Sequence, residues 1–81
     1  MKMELNTIVR LSNDEKFIVL NELDHENRKY YLTMGVIGDK DVDSTKVVIL
    51  EELMDENGYF IEKVTDSKLL IELTKKFKEQ I

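Results

Sequence analysis

Asp39, Asp41 and Asp43 alternate along one short segment, and carboxylates at that spacing are the donor set of a calcium loop. A helix–loop–helix calcium site also needs glycine at its sixth position and glutamate at its twelfth. Counted from Asp39, those positions hold Ser44 and Leu50, and the flanking residues read as strands. The expectation is therefore a solvated acidic loop with no specific metal. His25 is the single histidine and sits between Asp24 and Glu26. A metal site would need further nitrogen or sulfur ligands nearby, and a general base would need an aligned nucleophile. Neither is visible, so His25 reads as an exposed turn residue. Glu51-Glu52 and Asp55-Glu56 are adjacent pairs, and neighbours on a strand point to opposite faces, which keeps them from sharing a proton. The three glycines are scattered and form no phosphate-cradling loop, while the absence of cysteine removes thiolate chemistry and disulfides together. These residues predict no catalytic group, no metal and no cofactor: the chain is not expected to be an enzyme.

The elements that would carry these side chains follow from short apolar runs separated by polar corners. Strand-length runs rich in β-branched and aromatic residues cover about 7–11, 16–23, 28–37, 45–54 and 59–64. Gly38 to Ser44 is the longest polar loop, and Asn57-Gly58 predicts a two-residue type I′ turn, because both central residues of that turn need positive φ. Leu70, Leu73, Phe77 and Ile81 then recur at helical spacing, with Thr65 or Asp66 as N-cap and Lys75, Lys76 and Lys78 at the negative end of the helix dipole. The fold class expected is α+β, a four- or five-stranded antiparallel β-meander packed against one C-terminal α-helix. It forms a single domain over 1–81, with the sheet at about 7–64 and the helix at about 66–80.

Tyr30, Leu32, Met34 and Val36 share one strand face and mark it as core. The runs Phe17 to Leu20 and Val47 to Leu50 are apolar on both faces, and one helix covers only one side of a sheet. The second face must then curl on itself, dimerise or meet a partner. The candidate partner surface comprises Asp39, Asp41 and Asp43 of the acidic loop with Val47 and Ile49 of the strand after it.

Charge narrows the partner. The chain has 81 residues and a net charge of −5. Residues 1–64 hold 14 acids and 8 bases, whereas 65–81 hold 3 acids and 4 bases. Such a balance opposes binding to a phosphate backbone, which relies on Lys and Arg displacing counterions. Tyr30, Tyr31, Tyr59 and Phe60 lack the basic surroundings of a single-strand stacking platform and read as core and cross-strand pairs. No apolar run approaches the roughly 20 residues of a membrane helix, and the first residues carry no leader-like apolar stretch. The expectations are a cytoplasmic location, no membrane, no direct nucleic-acid binding, and a protein partner or a weak homodimer.

The succession Lys16-Phe17-Ile18-Val19-Leu20, Arg28-Lys29-Tyr30-Tyr31-Leu32, Val47-Val48-Ile49-Leu50-Glu51-Glu52, an Asp-Glu-Asn-Gly corner and a final helix carrying Phe77 resembles the YrzB-like family. These are small acidic proteins of Gram-positive bacteria containing a domain of unknown function. The likeness spans about 7–79. It departs from the family pattern in its thinner acidic runs, and in Lys63 standing near the position of a proline often found before the last helix. The resemblance implies no activity and assigns no site residue. The function expected is a non-enzymatic protein-binding or regulatory module. The alternative is an acidic nucleic-acid mimic that inhibits a nucleic-acid-binding protein.

Overall fold

The computed structural model describes residues 4–11, 14–38 and 41–80. Five strands, β1 (Ile8–Arg10), β2 (Lys16–His25), β3 (Arg28–Ile37), β4 (Asp41–Asp55) and β5 (Gly58–Lys63), precede one helix, α1 (Ser67–Glu79). The strands form one antiparallel sheet in the order β1-β2-β3-β4-β5, so each strand pairs with its neighbour in sequence. This is the five-stranded α+β meander with a C-terminal helix that the apolar runs require.

Two corners differ from the sequence expectation. The type I′ turn lies at Glu26-Asn27, where φ is 51° and 66° and His25 pairs with Arg28. At the second corner Asp55 pairs with Gly58, so the central residues are Glu56 and Asn57, and only Gly58 takes a positive φ, of 117°. The Asp55 carboxylate accepts the Asn57 N–H at 2.8 Å, which holds a right-handed turn and moves the left-handed residue one place on. The stretch expected as a long loop also shortens, because β4 begins at Asp41. Gly35 opposes Asp43 and Met34 opposes Val47, which leaves residues 44–46 bulged out of the ladder.

The helix begins where its cap dictates. The Asp66 carboxylate accepts the N–H groups of Lys68 and Leu69, two of the donors a helix N-terminus leaves without intrahelical partners. Leu73 and Phe77 then bury against Tyr30 and Ile49 of the sheet, with Leu23, Leu32 and Val64 around them. Of the expected apolar stripe, Ile81 lies outside the described residues.

The opposite face carries a second core of Val19, Tyr31 and Leu50, packed by Val9, Leu11, Val48 and Ile61. Residues from the first and last strands meet in that cluster, so the sheet curls until its two ends share a core. Curling, the first of the three ways to cover the second face, is the one adopted. Phe17 is fully buried there, and the Lys46 and Lys63 ammonium groups lie 5.4 and 5.5 Å from its ring centroid. Both lysines bind the carboxylate of Glu15 at 2.5 Å, one on each oxygen. That strap joins β4 and β5 to the residue before β2 and closes the mouth of the curled face.

Candidate functional site

A strand alternates its side chains, so residues paired across a ladder share a face. Ile8 pairs with Ile18, Ile18 with Met34, and Met34 with Val47. These four form one row across four strands. Met34 follows Tyr30 and Leu32 on β3 at period two, and Val47 precedes Ile49 likewise, which puts the row on the helix-bearing face. The helix does not reach it. Thirteen residues span about 20 Å, while a ten-residue strand runs about 33 Å, and α1 lies over the end of the sheet where Leu23 and Tyr30 stand. Ile8 and Val47 consequently remain 53% and 52% exposed, with Ile18 and Met34 half-buried between them.

Along the helix edge the row deepens into a groove. Leu32, Val47 and Val64 meet Leu70 and Thr74 of α1 around a hollow of about 370 Å³. A separate hollow on the outer side of the helix is lined by Ile71, 72% exposed, with Lys75 and Lys78. The next row of the same face begins with the pair Arg10 and Lys16, and Lys16 shares a hollow with Asp14, Glu15 and Asp43.

The four described residues of the expected partner surface do not come together. Val47 belongs to the row. Ile49 is 3% exposed beneath Leu73 and Phe77, so it is core: it lies one period-two step further along the strand, under the helix. Asp41 and Asp43 lie beyond the 44–46 bulge, and Asp39 is outside the described residues. The Asp43 carboxylate accepts the Thr45 hydroxyl at 2.5 Å and the Thr45 N–H at 3.0 Å. Those two bonds hold Asp43 below the usual carboxylate range. Among the described residues no three His, Cys, Asp or Glu side chains gather as a metal would need.

His25 is not an exposed turn residue. Strand β2 runs two residues past Leu23, and His25, paired with Arg28 at the end of the ladder, lies on the helix-bearing face, 9% exposed. Among the described residues its Nε2 has no hydrogen-bond partner, and it stands 3.7 Å from Glu72 of α1 and 3.8 Å from Glu26. Tyr30 shares this corner, its phenol raised by burial first and then by Glu51. Glu51 and Glu52 do point to opposite faces: Glu51 takes Arg28 at 2.7 Å, and Glu52 accepts the Tyr31 hydroxyl at 2.8 Å.

No family model, curated protein or solved structure matches this chain. No helix among the described residues is long and apolar enough to cross a membrane.

The row escaped sequence reading because it exists only through register. Ile8, Ile18, Met34 and Val47 are single members of four different runs, and nothing in a single run says which of them will be opposite which. A legible signal was the length mismatch between a helix of about 14 residues and two strands of about ten, which leaves part of one face uncovered.

Proposed function

We propose that this chain is a non-enzymatic protein-binding module whose contact surface is the part of the helix-bearing face that α1 leaves open. The observation that carries the reading is the row Ile8–Ile18–Met34–Val47, continuous with the groove beside Leu70 and Thr74. Contiguous apolar surface with a polar rim is the common mark of a protein contact. The resemblance to the YrzB-like family is compatible with such a role and names no partner.

The mimic reading draws less support. A phosphate mimic displays free carboxylates along one face, whereas Glu15 holds two lysines, Glu51 holds Arg28, Lys29 stands beside Asp24 at 3.2 Å and Glu22 at 3.9 Å, and the exposed Asp41, Glu56, Glu62 and Glu79 are spread over β4, a turn, β5 and α1.

The test is the spectrum of the isotope-labelled chain in an extract of cells that produce it. Amide signals of Ile8, Ile18, Met34 and Val47 are expected to broaden before those of Val19 and Leu50, and Val47→Lys is expected to abolish that selectivity. Uniform broadening, or the same pattern in the variant, rejects this surface.

A further inference from the structure

Two polar side chains are buried among the described residues, Thr33 and His25. The Thr33 hydroxyl donates to the Val48 carbonyl at 2.7 Å, whereas His25 Nε2 is left without a hydrogen bond. An unpaired buried nitrogen is costly, and its surroundings supply the reason for it. Glu72 of α1 stands 3.7 Å away and Glu26 of the β2–β3 turn 3.8 Å. Both are too far for a hydrogen bond and near enough to attract a charge. Tyr30 of β3 lies against the ring, with centroids 6.3 Å apart and planes tilted by 55°. Arg28, opposite His25 on β3, is held by Glu51 of β4 at 2.7 Å. The corner therefore gathers the carboxylates of Glu26, Glu51 and Glu72 around a single guanidinium. On the helix, Lys68 and Lys76 stand one turn either side of Glu72, and neither forms an ion pair among the described residues.

We infer that His25 is a pH-responsive latch: once protonated, its Nε2–H donates to Glu72 and fastens α1 to the β2–β3 hairpin, with Glu26 as the second carboxylate. Imidazole is the side chain suited to this, since it gains its charge between about pH 8 and pH 5. The ring is fixed by burial beside Tyr30, but the Glu72 side chain is 55% exposed and free to move. A movement of about 1 Å brings the two into hydrogen-bonding range. A neutral ring makes a weaker bond or, as the other tautomer, turns a lone pair toward the carboxylate. The stabilisation is thus present where imidazole is charged and is lost as pH rises. It acts on the seating of the helix, because the sheet beneath is held by its own ladder. Leu70 and Thr74 of the same helix form one wall of the groove, so the latch also steadies that wall. The latch stands whether or not the groove takes a partner.

The test is amide hydrogen exchange of the full chain at about pH 5.5 and about pH 7.5, corrected for intrinsic rates. Ordinary carboxylates keep their charge across that window, and the Tyr30 phenol, raised by burial, stays neutral. The α1 amides of Leu73 and Thr74 are expected to be about fivefold better protected at the lower pH. His25→Gln keeps a polar side chain there without the charge and is expected to show no such gain. Glu72→Gln, at an exposed position, is expected to lose most of it, and Glu26→Gln a smaller part.

Equal protection at both pH values in the unsubstituted chain overturns the latch. Weaker protection at the lower pH overturns it as well, because burial then outweighs the two carboxylates. A gain that survives in full in His25→Gln belongs to another group, and one that survives in full in Glu72→Gln does not reach the helix; either result rejects the inference. Should His25→Gln fail to fold, the comparison of Glu72→Gln with the unsubstituted chain decides alone.

Discussion

The two faces of this sheet meet one requirement by different means, and the contrast explains where the molecule is open. The curled face has no helix. It closes because strands β1 and β5 converge on Val19, Tyr31 and Leu50, and because one carboxylate ties two lysines over Phe17. The other face is covered by a single rigid cylinder that cannot spread, and the sheet beneath is longer than the cylinder is wide. A curling sheet adapts its closure to its own length, whereas a helix covers a fixed footprint and leaves a remainder. The remainder here is the Ile8–Ile18–Met34–Val47 row, and its exposure follows from geometry before any partner is considered.

The contrast breaks most readily at the helix. Phe77→Ala removes a side chain 2% exposed, and such truncations cost about 3–5 kcal/mol. A domain of 81 residues has on the order of 4–12 kcal/mol in total. Urea unfolding followed through tyrosine fluorescence is expected to show a large fall in midpoint with one transition for both faces, because Tyr30 and Tyr31 are neighbours on β3 and face opposite cores. Two separate transitions would mean that the curled face stands without the helix, and the faces would then be independent units.

A second substitution acts on the curled face alone. A Cβ at Gly35 would lie 2.9 Å from Lys46 Cδ and 3.1 Å from its Cβ. The near end of a side chain yields less than its tip, so Gly35→Ala is expected to displace the Lys46 stem from Phe17 at about 1–3 kcal/mol. The midpoint of unfolding reads the loss, and the Phe17 ring signals should move with it. An unchanged ring environment would show that Lys46 is ornamental to the closure.

Removing the charge of the strap is milder. Glu15→Gln keeps the shape and lowers the attraction for Lys46 and Lys63, all three of them partly solvated, so the expected loss is about 1 kcal/mol and shrinks as salt rises. A salt-independent loss would assign the effect to packing. The same substitution should leave the Ile71 signals in place, since Ile71 stands on the outer side of the helix, away from the strap.

The architecture was readable because alternation within each run, the turn residues between runs and the change to helical period all agree. Strand β3 begins and ends where its residues predict, and the Asp66 cap is one of the two the sequence offers. What could not be read is every feature that depends on which run lies beside which. Ile49 and Val47 are two residues apart, share a face and have the same apolar character, yet one is core and the other surface because the helix edge falls between them. His25 reads as a turn residue until the ladder is seen to extend as far as its pairing with Arg28. Asn57-Gly58 carried the stronger turn signal, but the Asp55 carboxylate decided the backbone there.

The smallest expected effect concerns Asp43, at the end of β4 where the ladder has a three-residue bulge. Its carboxylate is held below the ordinary value first by the Thr45 hydroxyl and then by the Thr45 N–H. A carboxyl group depressed by folding contributes stability that is present above its unfolded pKa and disappears as pH falls through its folded one, so any contribution is complete above the ordinary Asp value of about 3.9 and is lost on its acid side. Thr45→Val removes the hydroxyl and keeps the β-branched shape. The Asp43 titration midpoint, followed by carboxyl carbon shifts, is expected to rise in that variant while the signals of Val19 and Leu50 stay fixed. If the midpoint does not move, the turn at 43–45 is held by its backbone alone. If the curled-face signals move as well, the turn at 43–45 is coupled to the strap through Lys46, the next residue in sequence.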